Sequence, residues 1–182
     1  MYGTHKNWAY SVDQIRHMVK EVAVEEGVPW QLFMSLIEYE SRQDRELDYL
    51  AVGPSDNEIG LGQLHPKFAW WYLYLFGEDI LEDAGFDTGY AACANMRMAD
   101  IERLLYQPRN NLMVSARYLR WLHGLRWCDG SWMWAMAGYN GGYGVVIGAR
   151  RGRDGEMMGE ESVQNLSAQI RRYLKRTYLR VK

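Results

Sequence analysis

Hydrophobic residues recur along most of this chain at intervals of three and four, the spacing that places them on one face of a helix. The first clear case begins after Ser11, which together with Gln14 has the pattern of a capping box, and it ends before Gly27. These positions predict an amphipathic first helix with one buried side. Its apolar face consists of Ile15, Met18, Val19 and Val22.

The same spacing predicts helices in five more segments and at the C-terminal end. They cover residues 29–42, 66–76, 94–106, 108–124 and 131–140, and a last amphipathic helix begins at Ser162 and continues to about residue 180. The 131–140 segment is apolar all round, which is typical of a central buried helix. Residues 43–65 break the pattern and predict a long loop with room for a short hairpin, and the glycine-rich residues 148–159 predict a mobile surface loop.

The pattern as a whole predicts one mainly α domain over residues 1–182. The composition agrees, because 48% hydrophobic and 14% aromatic residues suit a substantial core and exclude a disordered chain. The net charge of −2 gives no reason to expect a nucleic acid partner. A secretory signal is not expected, since residues 1–10 are polar and mixed, and no apolar run is long enough for a transmembrane segment. We therefore expect synthesis in the cytoplasm and export by another route.

Cysteine and histidine give no sign of a metal site. Cys93 and Cys128 do not make a disulfide framework, so free thiols are expected, with a single bridge as the alternative. The histidines lack metal-ligand spacing; they are His5, His17, His65 and His123. The sequence thus predicts neither a metal nor another cofactor.

One acidic residue, Glu40, falls in line with an apolar helix face. It continues the stripe of Phe33, Leu36 and Ile37 at the spacing i, i+3, i+4 and i+7, whereas Glu38 should face water. Burial disfavours a charged carboxylate, so we expect a raised pKa for Glu40. A carboxylic acid that keeps its proton near neutral pH suits a general acid in glycosidic-bond cleavage. The alternative is a solvated or ion-paired helical glutamate, which is the more common case.

Four short motifs accompany Glu40. They are Glu-Ser at 40–41, Gly-Leu-Gly-Gln-Leu at 60–64, Pro-Arg-Asn-Asn at 108–111 with Tyr-Leu at 118–119, and Ala-Gly-Tyr-Asn-Gly-Gly at 137–142. In this order and with comparable gaps, they resemble the soluble lytic transglycosylase family, relatives of the goose-type lysozymes. The resemblance covers about residues 12–145 and is loose after residue 150. It implies a lysozyme-like, mostly α fold in which the loop region forms one wall of a cleft.

The chain departs from the family pattern at two places. Gly62 stands where the family has a methionine, which removes a flat apolar contact to a sugar ring and adds backbone freedom. The stretch between Ser41 and Gly60 is longer than usual. It carries the acidic residues Asp44, Asp48, Asp56 and Glu58. These acids leave the outcome of the reaction open.

The resemblance implies a role for each motif residue. Glu40 would protonate the oxygen between N-acetylmuramic acid and N-acetylglucosamine, and would then accept the proton of the muramic acid O6 hydroxyl as it closes a 1,6-anhydro ring. Tyr139 would be its catalytic partner, with a hydroxyl bonded to Glu40 or to substrate. Substrate binding is expected from Gln63, Asn140, Gly60 and Ser41. Asn140 has the alternative of capping its turn, Ser41 that of ordering the helix end, and the two loop glycines would allow close backbone approach to the sugar.

The implied activity is peptidoglycan lytic transglycosylation, for phage entry or host lysis. The partners would be glycan strands and the proteins of a virion or secretion machine, and the site of action the cell wall or periplasm. One alternative is a goose-type lysozyme that uses water, with Asp56 or Glu58 as second carboxylate. Another is a non-catalytic structural or binding component of a virion or secretion assembly.

For two other segments we favour a structural role over a role in ligand binding. The aromatic run 68–76 predicts core or a protein interface more than sugar stacking or membrane docking. The basic face of the last helix predicts a solvated surface that suits a helix C-terminus, more than an anchor for anionic wall or lipid.

Overall fold

The computed structural model describes residues 10–43, 46–47 and 58–181, and in these ranges the chain is mainly helical, which confirms the predicted fold class. The α-helices are α1 Val12–Glu25, α2 Trp30–Glu40, α3 Pro66–Phe76, α4 Glu78–Asp83, α5 Tyr90–Ala94, α6 Met98–Leu105, α7 Pro108–Gly124, α8 Trp132–Gly141, α9 Tyr143–Arg150 and α10 Ala168–Arg176. A 3₁₀ helix, Glu160–Asn165, lies between α9 and α10.

Two small β elements lie between α2 and α3. The strands β1, Arg42–Gln43, and β2, Glu46–Leu47, pair in antiparallel fashion. Further along, Ile59 and Leu64 form an isolated antiparallel bridge that closes a tight loop, which we call the 59–64 loop. The loop predicted over residues 43–65 thus contains short hairpin pairing. The predicted cleft wall falls partly outside the described residues, as do the acidic candidates Asp44, Asp48 and Asp56.

Several helix boundaries follow the local chemistry that the sequence indicated. The capping box of α1 is present: the Gln14 amide donates to Ser11 Oγ at 3.2 Å, and the Ser11 amide donates to Gln14 Oε1 at 2.7 Å. The predicted helix over 29–42 ends at Glu40, and Ser41 is its C-cap.

Other boundaries were predicted wrongly. The helix expected over 94–106 begins only at Met98. Before it, α5 ends at Ala94, where the Asn95 side chain donates to the Ala91 carbonyl at 2.7 Å and competes with the helical backbone. The last helix begins later than Ser162, because Ser167 caps it by accepting from the Ile170 amide. The loop expected over 148–159 begins only after α9 ends at Arg150.

The helix α7 lies between two hydrophobic clusters. Its residue Leu112 belongs to a cluster built with α1, α2, α8, α9 and α10, whereas Val114 belongs to one built with α3 to α6. Tyr72, Phe76 and Met113 contact both clusters. The α8 helix is central as predicted, and the side chain of its Trp134 is fully buried. Both cysteines are free and buried. Among the described helices, none has the length and apolar character needed to cross a membrane.

The C-terminal helix α10 packs on α8 and on α2, and α2 is far from it in sequence. The hydroxyl of Ser35, in α2, donates to the Thr177 carbonyl at 3.0 Å just after α10 ends. Both residues are buried. This contact brings the end of the chain to the helix that carries Glu40.

Candidate functional site

Glu40 is the last residue of α2 and continues its buried face, although its own side chain is only half-buried, like that of Asn140. Phe33, Leu36 and Ile37 are fully buried, as the stripe predicts. Burial is the main cause that raises the pKa of Glu40 to about 7, and the negative charge of Glu58 raises it further. The predicted direction is confirmed, and Glu40 is therefore half protonated near neutral pH.

The neighbouring Glu38 is less open to water than expected. Its side chain is only 20% exposed, with Arg16 at 3.6 Å and Arg180 at 3.8 Å from its carboxyl oxygens. Glu38 is thus an ion-paired helical glutamate, while Glu40, on nearly the opposite side of the helix, lies near another carboxylate, that of Glu58. One helical turn therefore carries both an ion-paired glutamate, Glu38, and a glutamate with a raised pKa, Glu40.

Two polar side chains approach Glu40 and oppose the rise in its pKa that burial causes. Asn140, in α8, and Tyr173, in α10, are both near enough to donate toward the carboxyl group and lower its pKa. Because they favour the ionised form, they partly offset the effects of burial and of Glu58. The carboxyl group therefore lies among elements from four parts of the chain: α2, the residue before the 59–64 loop, α8 and α10.

The 59–64 loop is fixed to α7 by the side chain of Asn111. The Asn111 oxygen accepts from the Gly62 amide at 2.7 Å, and its nitrogen donates to the carbonyls of Ile59 at 2.9 Å and Leu105 at 3.0 Å. Asn111 is 1% exposed, so these bonds are protected from water. The asparagine of the Pro-Arg-Asn-Asn motif thus holds the loop that follows Glu58.

The two loop glycines approach α7 and α8 closely, and their expected approach to a sugar stays a prediction. Gly60 is buried with a φ of +69°, and a Cβ there would lie 2.5 Å from Asn111 Nδ2. A Cβ on Gly62 would lie 1.9 Å from Ser115 Oγ, 2.9 Å from Ser115 Cβ and 2.8 Å from the Tyr139 hydroxyl. Gly62 therefore supplies space for close packing, and a methionine at this position would not fit as the loop stands.

We expect Gly62→Ala to lower the stability of the protein by about 1–3 kcal/mol, the usual cost of overpacking. Rotation of the Ser115 hydroxyl does not remove the clash, because Ser115 Cβ is also too near. Chemical denaturation measures the change. The matched control is Gly124→Ala, where a Cβ meets nothing within 4 Å and no loss is expected. An unchanged midpoint for Gly62→Ala would contradict this close packing.

Tyr139 lies at the site, but its hydroxyl is used differently from the expectation. It donates to the Gly62 carbonyl at 2.8 Å and makes no hydrogen bond to Glu40 in the structure. Burial, and then the nearby charge of Glu40, raise its pKa well above the usual value, so that it stays protonated. Tyr139 is thus placed to hold the 59–64 loop against α8.

The remaining predicted binding residues divide into two kinds. Ser41 is fully buried and its hydroxyl donates to the Ile37 carbonyl at 2.6 Å, so it orders the helix end and is not available to a substrate. Gln63 is partly exposed with a φ of 49°, and its side-chain amide donates to the Gly60 carbonyl at 2.7 Å. Asn140 is partly exposed beside Glu40. Gln63 and Asn140 remain candidates for substrate contact.

Aromatic rings continue from Tyr139 toward α3. The Tyr139 and Tyr118 ring centroids are 5.3 Å apart, and those of Tyr118 and Tyr72 are 5.0 Å apart. Burial and, to a lesser extent, the negative charge of Glu58 raise the pKa of Tyr72, so Tyr72 lies near the acidic side of the site. The aromatic helix α3 is partly core, as expected, although Phe68 and Leu75 are 47% and 41% exposed.

A surface groove of about 760 Å³ lies elsewhere, between α3, α4, α7 and the turn after α1. It includes none of the residues predicted to form the site. Its charged side is occupied by Arg117, which donates to Glu26 at 2.8 Å and to Asp79 at 2.6 Å. The groove is therefore distinct from the surroundings of Glu40.

Three residues of the site were not predicted as such. They are Tyr173 in α10, and Asn111 and Ser115 in α7. Asn111 had a signal, since it belongs to one of the four motifs. Tyr173 had none, because its contact with Glu40 depends on how α10 packs on α2.

A metal site is not evident at Glu40 or elsewhere in the described ranges, where no three His, Cys, Asp or Glu side chains converge. The chemistry of the arrangement is that of a buried acid with two polar donors and a second carboxylate. Comparison of the chain with protein-family models gives no match, and comparison with curated proteins gives none either.

Proposed function

We propose that this protein cleaves the glycan strands of peptidoglycan as a lytic transglycosylase, with Glu40 as the acid. The observation that carries the proposal is the pKa of Glu40, raised to about 7 by burial at the end of α2. A general acid works best when its pKa lies near the operating pH. The motif resemblance supplies the substrate class. Contacts among motif residues near Glu40 support the proposal, because Asn111 and Tyr139 hold the 59–64 loop and Asn140 approaches the carboxyl group.

The proposed reaction needs one carboxyl group in two roles. Protonated Glu40 gives its proton to the bridging oxygen as the bond to the muramic acid C1 breaks. The carboxylate that results accepts the proton of the O6 hydroxyl, and O6 closes on C1 to form the 1,6-anhydro ring. Because the nucleophile belongs to the substrate, no activated water is required. A pKa near 7 suits both transfers, since neither protonation state is strongly disfavoured.

A water-using hydrolase is the second candidate, and Glu58 favours it. Glu58 lies near enough to Glu40 to raise its pKa, and two carboxylates beside one bond are the usual arrangement of glycoside hydrolases. Asp56, the other carboxylate considered, lies outside the described residues. A non-catalytic role is less favoured, because it gives no reason to keep a costly buried acid beside a second acid.

Analysis of the digestion products separates the two reactions. We expect purified peptidoglycan treated with the protein to yield 1,6-anhydro-muramic acid ends, each one water lighter by mass spectrometry than a reducing end. Digestion in ¹⁸O water should leave these products unlabelled. New reducing ends formed in place of anhydro ends, above the number in an untreated sample, would establish the hydrolase instead, and Glu58→Gln should then abolish their formation. The absence of any glycan cleavage would contradict both.

The proposed setting is the cell wall, reached as part of a phage virion or of a secretion machine. Localised opening of the wall during genome entry, host lysis or assembly of a secretion channel would each use this activity. Cell-wall lysis by the protein added from outside, compared with lysis by protein produced inside cells, tests whether delivery is required.

A further inference from the structure

We propose that the outer face of α10 is a docking surface for a membrane rich in anionic phospholipids. We call it the α10 basic face, and its members on the helix are the exposed side chains of Arg171, Arg172, Lys175 and Arg176. At about 100° per residue they fall within an arc of about 140°, on the side of the helix away from its buried residues. Membrane contact goes beyond the cleavage reaction proposed above and does not depend on it.

The charge of the chain is distributed unevenly, and the α10 basic face lies in its most positive segment. Residues 162–182 hold six Lys and Arg and no Asp or Glu, although the whole chain carries −2. Residues 77–95 hold five Asp and Glu and no Lys or Arg. The basic segment packs in the cluster with α2 and α8, and the acidic segment packs in the cluster on the other side of α7. An anionic surface therefore attracts the side of the molecule that carries α10.

The cations of the α10 basic face are available to an anionic partner. Within the described part of the chain, Arg172, Lys175 and Arg176 form neither an ion pair nor a side-chain hydrogen bond. Arg171 donates to the Gln164 carbonyl at 3.3 Å, which leaves its charge without a counterion. Lys175 and Arg176 also suit the negative end of the helix dipole, but that effect is confined to the last turn. It does not account for Arg171 and Arg172, which lie in the middle of the helix.

Two exposed aliphatic side chains favour a membrane over other polyanions. Leu179 is 57% exposed and Val181 is 38% exposed, and both follow shortly after α10 ends at Arg176. Arg180 lies between them, with Glu38 at 3.8 Å. A soluble phosphate polymer or a nucleic acid would use the cations alone. A bilayer surface binds the cations through its headgroups and also takes apolar side chains below them.

Docking through the α10 basic face would hold the proposed acid near the bilayer. The buried face of α10 packs on α2, where the Tyr39 and Tyr173 ring centroids are 4.9 Å apart. Since packed helix axes lie about 8–10 Å apart and a helix has a radius of about 5 Å, α2 would lie about 15 Å from the headgroups. Under the proposed function, Glu40 would then act on the glycan strands closest to the membrane.

The test is flotation of the full-length protein with lipid vesicles in a density gradient. We expect binding to vesicles that contain phosphatidylglycerol and not to vesicles of phosphatidylcholine alone, and we expect added salt to release the protein. Combining Arg172→Gln, Lys175→Gln and Arg176→Gln should lower the partition coefficient about a hundredfold, because each cation contributes about fivefold. Leu179→Gln alone should lower it about five- to tenfold, because an inserted apolar side chain is lost.

The matched control combines Lys67→Gln, Arg126→Gln and Arg153→Gln, which remove the same charge from exposed positions elsewhere. Its partition coefficient should fall less than about threefold, since these cations lie outside the α10 basic face. Equal losses for the two triple variants would overturn the inference, because net charge alone would then explain binding. Failure of the wild type to bind the anionic vesicles at low salt would overturn it as well.

A soluble poly(glycerol phosphate) chain, added as a competitor, separates a membrane from a phosphate polymer of the wall. We expect it to displace the protein from vesicles only weakly. Full displacement, together with unchanged binding of Leu179→Gln, would assign the α10 basic face to such polymers and overturn membrane docking. If the triple α10 variant folds poorly, the salt dependence and Leu179→Gln still decide the outcome. Flotation needs no turnover, so it succeeds or fails independently of the proposed function.

Discussion

Glu40→Gln should remove nearly all lytic activity, with kcat lowered by about 10²–10⁴-fold, the usual contribution of a general acid. Glutamine has the shape of glutamic acid but has no carboxyl proton to give to the glycosidic oxygen. The fold should survive, and the melting temperature should stay the same or rise, because a buried acid beside Glu58 is replaced by a neutral group. Turbidity loss of purified cell walls and release of soluble muropeptides measure the activity.

Glu38→Gln is the matched control, because the two glutamates occupy the same last turns of α2. Glu38 faces Arg16 and Arg180 at the surface and has no part in the proposed reaction. Its replacement should leave activity unchanged and alter stability by less than about 1 kcal/mol. If Glu40→Gln still clears purified walls, Glu40 is not the acid and the proposed function falls.

The stability of the wild-type protein should decrease, relative to that of Glu40→Gln, as the pH rises from about 4.5 to about 7. The pKa of Glu40 is about 7 in the folded chain, against an ordinary value of 4.5. Between these values the unfolded chain loses the proton while the folded chain keeps it, so ionisation favours unfolding. Below 4.5 both states are protonated, and above 7 both are ionised. The shift corresponds to about 3 kcal/mol.

Urea denaturation of both proteins between pH 4 and pH 8.5 isolates this effect, because every other titrating group is common to the two. The difference in free energy of unfolding between wild type and Glu40→Gln should change across the window and be constant on either side of it. A wild-type minus Glu40→Gln difference that does not vary with pH would mean that Glu40 titrates normally and is not buried as described.

Local spacing predicted the most important feature of the site. Phe33, Leu36, Ile37 and Glu40 share a helix face whatever the rest of the fold, so the spacing within α2 predicted the direction of the pKa shift of Glu40, although not the contribution of Glu58. The same holds for the capping box at Ser11. Such features depend on a few consecutive residues, so they can be predicted directly from the sequence.

Features that depend on distant contacts were not predictable in this way. The approach of Tyr173 to Glu40 depends on the packing of α10 on α2 through Ser35 and Thr177. Gly62 was expected to free the backbone for a sugar, whereas the space it leaves is filled by Ser115 and Tyr139. No local pattern distinguishes a glycine that makes room for a sugar from one that makes room for a protein side chain, because both need only the absence of a Cβ.

The side chain of Asn111 has a consequence for the acid strength of the site. It fixes the carbonyl of Ile59, the residue that directly follows Glu58, and so it restrains the backbone from which the second carboxylate projects. An amide with no access to solvent thereby helps to set how strongly two acids repel each other. Replacement of this asparagine should then change the pKa of Glu40 without altering a single group that a ligand could touch.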